Sequence, residues 1–122
     1  MPSKMDNPTK VIAASLLDTW ISHDWAGGLQ TASLEDLTEI RVQTLNSVYD
    51  IVVIEHQSGE IVVRGGKFFP ERTAAYLAGS SCGGSFLKVG TIHPGFSLEM
   101  IAGETRIVTS TVQSVTVHRP RS

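Results

Sequence analysis

The sequence predicts a mainly β fold, a small barrel or sandwich of about seven short strands with one N-terminal amphipathic α-helix and a short second helix. Three observations predict it. The chain has 122 residues, which suits one hydrophobic core. From Thr38 onward, apolar residues alternate with polar ones, as in half-buried strands. Turns containing glycine or proline separate these segments at close intervals.

The N-terminal segment has the pattern of one helix, which we predict over Thr9–His23. Asn7-Pro8 suits its first turn, because asparagine caps a helix and proline needs no partner for its missing N–H. Gly27-Gly28 suits its end. The apolar positions recur on one helical face, and they are Ile12, Leu16, Leu17, Trp20 and Ile21. Trp20 and Trp25 are expected to contact the β domain, or to mark an interface if that face is not covered.

The central segment predicts a β-hairpin. Val48–Glu55 is rich in β-branched residues and returns through Glu60–Arg64 after a turn at Gln57-Ser58-Gly59. Pro70–Gly79 begins with proline and ends with glycine, which predicts the short second helix.

The remaining chain predicts consecutive hairpins after the loop Gly79–Ser85. Gly90 interrupts the alternation and indicates a bulge or bend. We expect strands around Phe96–Met100 and Thr105–Ser110, and a last one over Val112–His118. The expected organisation is a flexible N-terminus over residues 1–8 and a single domain over 9–122, with its β part at 38–118.

Composition narrows the class of protein. The net charge is −2 and hydrophobic residues make up 41% of the chain, which fits a folded globular protein. No apolar run approaches the ~20 residues that cross a bilayer, and the first ten residues lack the apolar stretch of a secretory signal. Cys82 is the only cysteine, so no intramolecular disulfide can form. These features predict a cytoplasmic protein without a membrane partner.

Charge is distributed unevenly along the chain. The first 60 residues hold three bases and nine acids, whereas the last 62 hold seven bases and three acids. Such an asymmetry could steer an anionic ligand to the C-terminal half or pair two copies. It would have no such effect if the two halves interleave in one sheet.

The loop Gly79–Ser85 is the candidate ligand site. Its backbone N–H groups could bind an anion as a nest does, with a cation from Lys88 close by. The candidate residues are Gly79, Ser80, Ser81, Cys82, Gly83, Gly84, Ser85 and Lys88. The alternative is that this loop only connects two elements. A catalytic role for Cys82 is disfavoured, because none of the four histidines forms a recognisable signature with it.

Two other segments carry residue types that are found in binding sites. Arg64–Arg72 combines cations with Phe68 and Phe69, as single-strand nucleic-acid binders do. We interpret both phenylalanines as core residues, so nucleic acid is not favoured. Neighbouring strand residues point to opposite faces, so Glu55 and His56 are not expected to hold one ion. The sequence therefore predicts no metal site and no cofactor.

Several short motifs resemble a family of short bacterial proteins of uncharacterised function. These motifs are NSVY at 46–49, GGKFFPERT at 65–73, GSSCGGSFLK at 79–88 and TS at 109–110. The resemblance implies a compact β domain and no known chemistry.

The function that these features predict is a non-enzymatic binding or regulatory module that self-associates and could bind an anionic ligand. The first alternative is a small enzyme that uses Gly79–Ser85 for an anionic substrate. The second is a structural or assembly protein.

Overall fold

β-Strands make up most of the chain that the structure describes. The structure is a computed structural model and describes Trp20 and residues 28–120. Within residues 28–120, helical structure is confined to a 3-10 turn at Thr31–Ser33, and no helix among the described residues is long and apolar enough to cross a membrane. The prediction of a mainly β fold is confirmed. The strands are β1 (Leu29–Gln30), β2 (Glu39–Thr44), β3 (Val48–Glu55), β4 (Glu60–Gly65), β5 (Phe69–Cys82), β6 (Ser85–Val89), β7 (Thr91–Ile92), β8 (Ser97–Ala102) and β9 (Thr105–His118).

Six of these strands form a closed ring of antiparallel pairs. The order is β4-β3-β2-β9-β8-β5, and a pairing between β4 and β5 closes it. β6 joins the ring through β5, while β1 and β7 form a separate two-stranded ribbon. Two strands are long enough to pair with different partners at their two ends. β5 pairs first with β4 and then with β8 and β6, and β9 pairs first with β8 and then with β2.

The hydrophobic core lies inside the ring. β-Branched residues at alternate positions of β2, β3 and β4 point inward, because successive side chains of a strand face opposite sides. Phe69 at the start of β5 is buried beside Tyr49, whose ring is 6.4 Å away in an edge-to-face arrangement. The inward residues of β2–β4 are Ile40, Val42, Tyr49, Ile51, Val53, Ile61 and Val63.

The predicted second helix at Pro70–Gly79 is wrong, since these residues belong to β5. Proline and glycine at its two ends imitate helix boundaries, and the alanines between them favour a helix locally. Partners on both sides override that preference, because β4 pairs with the first half of the strand and β8 with the second. Pro70 is tolerated near the strand start, where the pairing with β4 is irregular.

Gly79 has a different role from the helix end that the sequence predicts. Its φ is +148°, and a Cβ there would lie 2.0 Å from the backbone oxygen of Lys88. This glycine therefore permits β6 to approach β5 closely.

The predicted N-terminal helix at Thr9–His23 lies outside the described residues except for Trp20, so it stays a prediction. Trp20 contacts two aromatic rings of the β domain. Its ring centre is 5.5 Å from that of Phe96 and 6.2 Å from that of Phe86. The expected contact between Trp20 and the β domain is thus observed, whereas Trp25 is not among the described residues.

The strands of the two halves of the chain occupy two separate arcs of the ring. β2 and β3 from the acidic half lie between β9 and β4, and both of these strands come mostly from the basic half. Acids of the first half and bases of the second half are therefore brought onto neighbouring strands where β3 pairs with β4 and where β2 pairs with β9.

Candidate functional site

A groove on the outer face of the ring is lined by charged side chains from several strands. The groove has a volume of about 540 Å³. We call it the arginine groove and define it by its charged strand residues, Glu39, Arg41, Asp50, Arg64 and Arg72. These residues come from four consecutive strands, β2 to β5.

Strand alternation puts these charges outside. Ile40 and Ile51 point into the core, so the residues next to them point to solvent. Register then aligns them, because Arg41 lies opposite Asp50 and Asp50 lies opposite Arg64. A row of charged side chains therefore runs across β2, β3 and β4.

The arginines that line the groove differ in whether they have an ion-pair partner. Arg41 donates from Nε to Asp50 at 2.8 Å and from a terminal nitrogen at 3.4 Å. This hydrogen bond raises the pKa of Arg41 above its ordinary value. Arg64 and Arg72 are exposed and form no ion pair with any residue of 28–120. The groove thus presents two guanidinium groups with free donors.

The prediction of a loop at Gly79–Ser85 is wrong for most of its residues, because Gly79–Cys82 end β5 and Ser85 begins β6. Ser80 and Ser81 are buried, and the tip of the turn between β5 and β6 is Gly83-Gly84. Gly84 donates its N–H to the Ser81 hydroxyl at 3.0 Å, and its carbonyl accepts from Arg106 at 2.6 Å. These groups of Gly84 are therefore occupied within the protein. Anion binding at this turn stays a prediction.

Ser80 is held by a second set of internal hydrogen bonds. Its hydroxyl donates to the Thr91 carbonyl at 3.0 Å and accepts from the Thr91 hydroxyl and the His93 N–H. Buried hydroxyl groups are stable only when such partners are present. The hydroxyl of Ser80 therefore joins β5 to the β7 region and does not face an open site.

A buried carboxylate lies beside the same turn, and sequence reasoning missed it. The Glu99 side chain is only 2% exposed and is held by Arg106 at 2.7 and 2.9 Å. The hydrogen bond from Arg106, with a further one from Ser81, lowers the pKa of Glu99 although its burial acts in the opposite direction. Alternation predicts that Glu99 is exposed, but β8 is covered on both faces at this position.

Cys82 lacks the features of an activated thiol. It is partly buried, and this burial raises the pKa of its thiol. A raised pKa lowers the thiolate fraction near neutral pH, whereas nucleophilic cysteines depend on that fraction. Cys82 lines a cleft of about 370 Å³ together with Ser81, Gly83 and Phe96. Lys88 lies on the exposed strand β6, opposite Ser80.

Asp36, Glu55 and His56 are the described residues whose side chains come close enough to share a cation. Their potential ligand atoms lie within 4.8 Å of one another. The expectation that Glu55 and His56 point apart is wrong, because β3 ends at Glu55 and His56 belongs to the following turn. Asp36 already bonds to His56 Nδ1 at 2.8 Å, which raises the pKa of His56. A cation would have to displace this hydrogen bond.

The segment Arg64–Arg72 divides its aromatic residues between core and surface. Phe69 is buried, as expected, but Phe68 is 48% exposed. The Lys67 ammonium lies 5.4 Å from the centre of the Phe68 ring. This ring is therefore partly covered by a cation of its own chain. Arg64 and Arg72, at the two ends of the segment, both reach the arginine groove.

The arginine groove was only partly accessible to sequence reasoning. The sequence shows Arg64 and Arg72 as cations of one segment, but it predicts Arg72 in a helix and does not reveal which strands lie beside those of Glu39 and Asp50. Charges at alternate positions of adjacent strands were the available signal.

Comparison of the chain with protein families, with curated proteins and with solved structures finds no match.

Proposed function

We propose that this protein is a non-enzymatic binding module and that it binds an anionic ligand in the arginine groove. The observation that carries the proposal is the pair of exposed guanidinium groups, Arg64 and Arg72, that face one groove without an acidic partner in residues 28–120. Guanidinium groups offer paired donors that match carboxylate and phosphate oxygens.

The fold supports a preformed site. Arg64 lies opposite Asp50 in the sheet, and Arg72 lies in the irregular part of β5, next to Thr73, which pairs with Val63. Asp50 already holds Arg41, which leaves the charge of that arginine balanced. A ligand anion would therefore meet the cations of β4 and β5 first, with little rearrangement of the backbone.

Binding is favoured over catalysis because the described residues that could react are otherwise engaged. The raised pKa of Cys82 disfavours a thiolate nucleophile. Ser80 and Ser81 hydroxyls are used in internal hydrogen bonds. The enzyme alternative at Gly79–Ser85 thus has weaker support than the binding alternative at the groove.

The direct test is a titration with inorganic phosphate followed by calorimetry and by backbone amide shifts. We expect saturable binding by the wild-type protein, with shifts centred on β4 and β5. One charge-assisted hydrogen bond contributes about 1.5–3 kcal/mol. The double variant Arg64→Gln/Arg72→Gln should therefore bind at least about tenfold more weakly. Matched controls are Arg119→Gln, an exposed arginine outside the groove, and Lys88→Gln beside the β5–β6 turn.

The controls separate the candidate sites. Binding that survives the double variant contradicts the proposal. Binding that is lost in Lys88→Gln, with shifts at the β5–β6 turn, would favour the original loop prediction instead. A loss of equal size in Arg119→Gln would indicate nonspecific attraction to positive charge.

A further inference from the structure

The register of the strands defines a second row of side chains in the arginine groove. Glu39 lies opposite His118 on one side and opposite Val52 on the other, and Val52 lies opposite Val62. Glu39, Val52 and Val62 are each two residues from a member of the charged row, so both rows share the outer face. All four of these residues line the groove.

The chemistry changes across this groove. Arg64 and Arg72 supply positive charge at the side of β4 and β5. Val52 and Val62 are half-buried and place methyl groups in the middle. Glu39 lies on the opposite side, on β2, and it forms no ion pair with any described residue.

From this arrangement we infer that the ligand is a compact zwitterion with an anionic group for Arg64 and Arg72, an aliphatic segment over Val52 and Val62, and an ammonium group for Glu39. The inference rests on the proposed function and specifies the class of its ligand. A carboxylate that faces the groove would repel a second anionic group at that end. A polyanion is therefore a poorer match than a molecule of opposite charges.

The spacing of the strands sets the length of such a ligand. β2 and β4 are both neighbours of β3, and Arg64 is two residues from Val62 in the row of Glu39. Glu39 and Arg64 are therefore separated by two strand spacings and two residues along the strand, about 12 Å in all. The arginine side chains extend over part of this distance. A short aliphatic ω-amino acid spans the remainder, which makes 6-aminohexanoate a suitable probe.

The experiment compares three probes, 6-aminohexanoate, hexanoate and acetate, by calorimetry and amide shifts on the wild-type protein. Hexanoate should bind more tightly than acetate, because its methylene groups cover the two valines. The added ammonium group should strengthen binding about fivefold, as a partly exposed ion pair does. Glu39→Gln should remove the difference between 6-aminohexanoate and hexanoate without weakening hexanoate. Glu104→Gln, at an exposed turn between β8 and β9, is the matched control.

The outcomes distinguish this inference from the proposed function. If phosphate binding depends on Arg64 and Arg72 but the ammonium group adds no affinity, the inference is overturned and the proposed function stands. If the advantage of the ammonium group persists in Glu39→Gln, the inference is also overturned. If no probe, phosphate included, binds in an arginine-dependent way, both fail.

Discussion

Two adjacent phenylalanines provide the sharpest test of how the core is built. Phe69 is 1% exposed and packs edge-to-face on Tyr49, with the two planes at 77°. Phe68 is 48% exposed beside Lys67. Phe69→Ala and Phe68→Ala remove the same atoms from neighbouring positions, so their difference measures burial rather than residue type.

The expected cost of each substitution follows from the area that it removes. Phe69→Ala removes roughly 100 Å² of buried apolar surface, which lowers the free energy of unfolding by about 2.5 kcal/mol. Loss of the aromatic pair with Tyr49 adds about 0.5–1.5 kcal/mol. Phe69→Ala should therefore lower the free energy of unfolding by about 3–4 kcal/mol, a typical cost for such a change. Phe68→Ala should cost about 1 kcal/mol, because about half of its ring is already in water.

Urea unfolding at equilibrium measures both values, and thermal unfolding provides a check. For a domain of this size, Phe69→Ala should lower Tm by about 10–15 °C and Phe68→Ala by about 3–5 °C. Equal losses in the two variants would refute the assignment of Phe69 to the interior. A larger loss for Phe68→Ala would mean that β5 presents the opposite face to the core.

Three further predictions concern pH, reactivity and backbone geometry. The bond between Asp36 and His56 raises the pKa of the histidine and lowers the pKa of the aspartate. The bond therefore stabilises the folded protein fully between the ordinary aspartate pKa of about 3.8 and the ordinary histidine pKa of about 6.5. This stabilisation is lost as pH rises through the raised pKa of His56. In urea unfolding, Asp36→Asn should therefore lower the free energy of unfolding more at pH 5.5 than at pH 8.5. An equal decrease at both pH values would contradict this linkage. Labelling of Cys82 at pH 7 should be slower than that of a small free thiol, because burial raises its pKa; faster labelling would contradict the assignment. Gly79→Ala should lower the free energy of unfolding by roughly 3 kcal/mol or more, because its Cβ would meet the backbone of Lys88. Gly83→Ala, with φ +60° and open space around it, should cost about 1 kcal/mol. Similar costs for the two substitutions would refute the close approach of β6 to β5.

The sequence predicted correctly those strands whose local residue pattern agrees with their burial in the folded protein. β2, β3, β4 and their hairpin follow directly from alternation and from the turn at Gly59, because one face of each strand is buried. The helix at Pro70–Gly79 failed because its local signals compete with pairing on both sides, which sequence cannot reveal. The expectation that Glu99 is exposed is wrong for a related reason, because its burial depends on an ion pair with Arg106 of another strand.

The groove illustrates what neither composition nor motif could supply. Glu39, Asp50 and Arg64 lie on three different strands and become neighbours only through register. The overall charge asymmetry suggests a basic half, but the groove joins strands of both halves, so acids lie beside those bases. The recurring glycines and serines at Gly79–Ser85 predict a ligand site, although Ser80 and Ser81 serve internal hydrogen bonds.

Closure of the ring has a consequence for how the protein is made. β2 is an early strand, yet its partner on one side is the end of β9, with Glu39 opposite His118. The contact therefore joins positions far apart in the chain, and such contacts slow folding. During synthesis β2 can pair with β3 as soon as both have left the ribosome, but its second edge must wait for the last strand. A chain that ends before Ser114 lacks most of the β9 residues that pair with β2, and it would expose that edge to other nascent chains.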